Sequence, residues 1–93
     1  MRAYTFDEFK DRVSERFDLL LDERTLPMTL GAAHALPHSG RDGGAFTLEW
    51  LGPYEPVLEQ GIYNLRGGGE TFEIFIVPIA RDRDGVRYQA VFN

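Results

Sequence analysis

Apolar side chains recur at every second position along four separate stretches of this chain. Phe17, Leu19 and Leu21 alternate with Asp18 and Asp22, with Leu20 breaking the pattern. Leu26, Met28, Leu30 and Ala32 alternate with Pro27, Thr29 and Gly31, and Phe46, Leu48 and Trp50 alternate with Thr47 and Glu49. Val86, Tyr88, Ala90 and Phe92 alternate with Arg87, Gln89 and Asn93, Val91 being the exception. Because successive side chains of a strand point to opposite faces, a period of two predicts antiparallel strands with one face on a core and one in water. The segment Thr71–Ile79 differs, with Phe72, Ile74 and Ile76 on one face and Phe75, Val77 and Ile79 on the other. A strand apolar on both faces lies inside a barrel or sandwich, or has one face covered by the helix or another chain.

Turn chemistry orders these strands. Arg66-Gly67-Gly68-Gly69-Glu70 is suited to close a hairpin between Ile62–Leu65 and Thr71–Ile79, because glycine adopts the positive φ values of tight turns. Arg81-Asp82-Arg83-Asp84-Gly85 is suited to close a second hairpin into Val86–Phe92, so the last three strands form a meander. The stretches 36–44 and 52–56 are irregular loops rich in Gly and Pro. Before the first strand, Thr5 and Glu8 have the spacing of a capping box, and Tyr4 and Phe9 that of a hydrophobic staple. This predicts a helix over residues 6–14 with Phe6, Phe9 and Val13 on its packed face. The expected fold is therefore α+β: one short N-terminal helix packed on a curled antiparallel sheet or small barrel of five to six strands, in a single domain over residues 1–93.

The chain has 93 residues, 10 basic against 15 acidic, for a net charge of −5. Its positive charges are interleaved with negative ones, as in Arg81-Asp82-Arg83-Asp84, so no basic face is available to pair with nucleic-acid phosphates. No apolar run approaches the roughly 20 residues of a membrane-spanning helix, and Met1-Arg2-Ala3-Tyr4 does not open a signal peptide, so membrane insertion is not expected and the cytoplasm is the expected location. Cysteine is absent, which removes disulfides and thiolate chemistry.

Few residues could carry catalysis. His34 and His38 are the two histidines, but Ala35-Leu36-Pro37 between them breaks the helix that would put both imidazoles on one metal, even with Asp42 nearby. Asp82-x-Asp84-Gly85 resembles part of a calcium loop yet lacks its downstream Glu, and Gly67–Gly69 lacks the Lys-Ser/Thr and the helix of a phosphate cradle. Ser14 and Ser39 have no base and orienting group set beside them, and Glu49 and Glu73 fall on outward strand positions. No catalytic residue, metal ligand or cofactor is implied, and a non-enzymatic role is expected. The informative anomaly is apolar: Trp50, Leu51, Pro53, Tyr54, Val57, Leu58 and Tyr63, with Phe75 from the two-faced strand, are candidate interface residues, since aromatic side chains are enriched where proteins meet.

The runs from Phe46 through Gly52-Pro53-Tyr54 to Gln60-Gly61-Ile62-Tyr63, then Ile74–Ile79, then Asp84–Asn93, resemble a family of small bacterial proteins classed as a domain of unknown function. The opening Phe6-Asp7-Glu8-Phe9 followed by Arg16-Phe17 is similar to the start of that family. The resemblance implies an accessory component associated with phage tail-collar or tail-fibre-like proteins, and brings no catalytic residues. The expected function is a structural or interaction module with a protein partner or a second copy of itself. The alternatives are a small barrel binding an apolar ligand, although a small-molecule ligand is disfavoured, and a His-dependent enzyme or metal site.

Overall fold

The computed structural model describes residues 3–36 and 44–93. Six antiparallel strands run β1 Arg16–Leu20, β2 Thr25–Leu36, β3 Ala45–Gly52, β4 Gly61–Gly67, β5 Glu70–Asp82 and β6 Gly85–Phe92. They close into a barrel in the order β1-β2-β3-β6-β5-β4, with β4 pairing back onto β1. The barrel consists of two three-stranded meanders, β1–β3 and β4–β6, joined edge to edge through β3/β6 and β1/β4. Each central strand carries a register shift against the strand that follows it, between Leu30 and Ala32 on β2 and between Pro78 and Ala80 on β5. Such bulges raise the local twist that a small closed barrel needs.

The expected α+β class is corrected to an all-β fold. In place of a helix over 6–14, the structure has a single 3-10 turn at Phe6–Glu8, then further turns up to Ser14, whose φ is +77°. The local signals are present: the Thr5 N–H donates to a Glu8 carboxylate oxygen at 2.7 Å, and the Tyr4 and Phe9 ring centroids lie 6.2 Å apart. A segment this short gains little from helix propagation, so tertiary contacts decide its path. Here they favour placing the Phe9 ring under the barrel, 5.0 Å from Phe72 and 6.1 Å from Phe46, while Val13 remains exposed. Phe9 and Tyr4 thereby plug the end of the barrel where β5 and β6 separate. The β5–β6 ladder runs only from the Asp82–Gly85 pair to Val77–Gln89, and past it the Glu73 N–H donates to the Tyr4 hydroxyl at 2.8 Å.

Inward residues fill the barrel. Phe17, Leu19, Met28, Leu30, Phe46, Leu48, Trp50, Leu65, Phe72, Ile74, Ile76, Val86 and Tyr88 are all buried. A barrel of six strands is narrow, and glycines supply the room that the largest side chains need. A Cβ on Gly67 would meet the Phe17 ring at 2.5 Å, and one on Gly52 would meet the Met28 sulfur at 2.8 Å. At the β4–β5 hairpin, Gly68 and Gly69 have φ of +59° and +81°, the mirror-image turn that matches strand twist. Among the described residues, no helix is long and apolar enough to cross a membrane.

Candidate functional site

Three connections between strands gather at one end of the barrel, opposite the Phe9 plug: residues 21–24, 53–60 and 83–84. The β1–β2 turn is fixed by the Leu21 N–H donating to the Arg24 carbonyl at 2.8 Å. The 53–60 connection is tied down more firmly. Leu58 is buried and its N–H donates to the Tyr88 hydroxyl at 3.0 Å, while the Tyr63 hydroxyl donates to the Glu59 carbonyl at 2.8 Å. Burial pushes the Tyr88 hydroxyl above its ordinary pKa; the hydrogen bond from Leu58 opposes this, and Tyr63 adds a smaller upward push. With its second half anchored, the loop presents Tyr54 and Val57 to solvent, at 48% and 46% exposure. The Arg81 guanidinium sits over the Tyr54 ring, 4.4 Å from its centroid.

Two open concavities flank this loop end. One, of about 630 Å³, lies between Leu20–Arg24 and Ile62–Asn64. The other, of about 610 Å³, is lined by Arg24, Glu55, Pro56, Val57 and Arg81. Arg24 borders both.

The structure divides the candidate interface residues. Trp50 is fully buried, edge-on to Phe17 at 4.9 Å, with its indole N–H in the interior and no hydrogen-bond partner, and Leu58 is core as well. Leu51, Pro53 and Tyr63 are half-buried, whereas Tyr54, Val57 and Phe75 are exposed. Phe75 lies on the outer barrel face, directly paired across β4–β5 with Ile62, which is 56% exposed. Ile79 and Val91 are further exposed apolar side chains on β5 and β6. The alternation within Thr71–Ile79 already puts Ile79 on the face of Phe75, Ile62 falls in the apolar stretch that runs from Trp50 to Tyr63, and Val91 is visible as the exception in its strand.

Of the residues considered for chemistry, His34 is exposed near the end of β2, and His38, Ser39 and Asp42 lie outside the described residues. Among the described residues, no group of three or more His, Asp or Glu side chains could hold a metal ion. Asp82 and Asp84 are used in the β5–β6 turn, where the Asp84 N–H donates to the Asp82 carboxylate and both carboxylates face Arg87.

Fold and site together define a closed six-stranded antiparallel barrel with a filled interior and an amphipathic loop end. The chain belongs to the family described as a domain of unknown function (DUF6916), which it matches over residues 4–92. No curated protein and no solved structure gives a significant match.

Proposed function

We propose that this protein is a non-enzymatic structural or accessory module that binds a protein partner, or a second copy of itself, through the outer face of the β4–β6 meander. The observation that carries the reading is the apolar pair outside the barrel, Ile62 and Phe75, directly opposite each other on β4 and β5 and 56% and 48% exposed, with Ile79 and Val91 as further exposed apolar side chains at 48% and 50%. The outward face of a barrel strand in water is normally polar, and the inward face of β5 already supplies its share of the core through Phe72, Ile74 and Ile76. Exposed large apolar side chains set directly side by side on two strands mark a surface suited to a partner.

A phage tail-collar or tail-fibre-like assembly is the setting we propose for such a surface. The filled interior, with Phe17, Trp50 and Tyr88 each no more than 1% exposed, gives no support to the apolar-ligand alternative.

The test is sedimentation of the wild type and of an Ile62→Thr/Phe75→Ser variant over a wide concentration range, alone and with host extract. Association that the variant loses while keeping its thermal midpoint supports the reading. A wild type that stays monomeric near 1 mM on a roughly logarithmic series, and whose captured proteins match those of the variant, would overturn it.

A further inference from the structure

Most of the basic side chains among the described residues are ion-paired, Lys10 with Asp7 among them. Arg16 and Arg66 lie against Asp18, Arg12 against Glu70, and Arg87 against Glu49, Asp82 and Asp84, all within 4.0 Å. Among the described residues, Arg24, Arg81 and Arg83 have no such pair, and the first two differ from Arg83 in where they stand. Arg24 and Arg81 line the same concavity of about 610 Å³ at the loop end.

Both are also held in place. The backbone hydrogen bond from Leu21 fixes the turn that carries Arg24, and Arg81 is fixed by its ladder position opposite Val86 and by the Tyr54 ring under its guanidinium. A guanidinium engaged with a ring keeps its planar fork of N–H donors free for an anion. From this placement we infer that the concavity is a carboxylate site, taking a side-chain or terminal carboxylate of an acidic peptide segment.

The surroundings favour a single carboxylate over a polyanion. Glu55 lines the same concavity, and Asp22 and Glu23 stand beside Arg24 around the neighbouring one. Two arginines and one glutamate give the lining a net charge of about +1, which suits a monoanion, while a dianion or a phosphate chain meets repulsion from the carboxylates at the rim. Pro56 and Val57 provide apolar contact for the methylenes and backbone that flank a carboxylate in a peptide. The site's chemistry follows from the two arginines whether or not the Phe75 face is covered by a partner.

The experiment is an NMR titration of the whole chain that follows the Arg Nε–Hε signals, with acetate, an N-acetylated and C-amidated peptide carrying one Glu, and inorganic phosphate as probes. The expected result is saturable shifts of Arg24 and Arg81 with acetate, and tighter binding of the single-Glu peptide. Arg24→Gln and Arg81→Gln are each expected to weaken the single-Glu peptide about tenfold, the loss of one charge-assisted fork. Arg83→Gln, an exposed arginine at the β5–β6 turn outside the concavity, is expected to leave binding within about twofold, since surface charges act weakly at a distance. The wild-type shifts carry the test by themselves, and the spectra of the variants report whether each folds. No saturation at Arg24 and Arg81, equal loss in Arg83→Gln, or tighter binding of phosphate than of acetate would overturn the assignment.

Discussion

The strongest test of how this fold is held together is the removal of the Phe9 ring. Phe9 belongs to no strand, yet it is fully buried, with ring centroids of Phe72, Phe46, Tyr4 and Phe92 at 5.0, 6.1, 6.2 and 6.4 Å. Phe9→Ala deletes that ring from a site walled by strands that hydrogen-bond elsewhere and cannot collapse into the space. The expected cost is about 3–5 kcal/mol, the transfer of the ring plus the cavity it leaves. A chain of this length has about 5–14 kcal/mol in total, so the variant loses a large fraction of its stability. Its thermal midpoint falls by at least about 12 °C, at 4–8 °C per kcal/mol for a domain this small.

The assay is urea unfolding followed by the fluorescence of Trp50, the one tryptophan and fully buried. Phe9→Leu, which refills most of the volume, is expected to cost about 1–2 kcal/mol, and Val13→Ala, at a position 41% exposed, less than about 0.5 kcal/mol. A Phe9→Ala loss below about 1 kcal/mol at unchanged denaturant slope, or one matched by Val13→Ala, would refute the plug and make the N-terminal segment peripheral to the barrel.

Tyr88→Phe leaves the buried Leu58 N–H without its acceptor and is expected to cost about 1–3 kcal/mol, read by thermal unfolding. The pKa of Tyr88 is raised in the folded protein, so its contribution is complete below the unfolded value near 10 and is lost as pH rises from there through the folded value; the alkaline fall in stability is therefore shallower in Tyr88→Phe. Gly85→Ala forces a side chain onto a residue at φ +137° and drives its Cβ into the Gly52 carbonyl, with an expected loss of at least about 2 kcal/mol in chemical unfolding. Arg87→Gln breaks contacts to Glu49, Asp82 and Asp84 at 3.7, 3.4 and 3.9 Å; this half-exposed network is expected to contribute about 0.5–1 kcal/mol at low salt and to fade in about 1 M NaCl.

Strand identity and the two C-terminal hairpins were legible in the sequence because they depend on neighbours along the chain. Period-two alternation marks which residues of β2, β3 and β6 face the core, and Gly68-Gly69 and Asp84-Gly85 carry the conformations their turns require. The capping box at Thr5 and Glu8 was also real, but it encodes only the first turn of a segment. Whether that turn grows into a helix depends on where Phe9 is buried, and that is set by Phe46, Phe72 and Phe92, which lie on three different strands.

The candidate site shows the same division. Composition drew attention to the aromatic stretch from Trp50 to Tyr63, but a sequence cannot separate a tryptophan pointing into a barrel from a tyrosine pointing out of it when both sit beside a Gly-Pro turn. Closure of the barrel decided that Trp50 and Leu58 are core and that Tyr54, Val57 and Phe75 face solvent. It also brought Arg24 and Arg81, 57 positions apart, to one concavity. The sequence by itself determined which residues form strands and how those strands turn, because alternation and turn conformation are local properties. Only the tertiary structure decided which edges meet, what fills the ends of the barrel and which charges are left unpaired, because those depend on residues that the chain brings together only when the ring of strands closes.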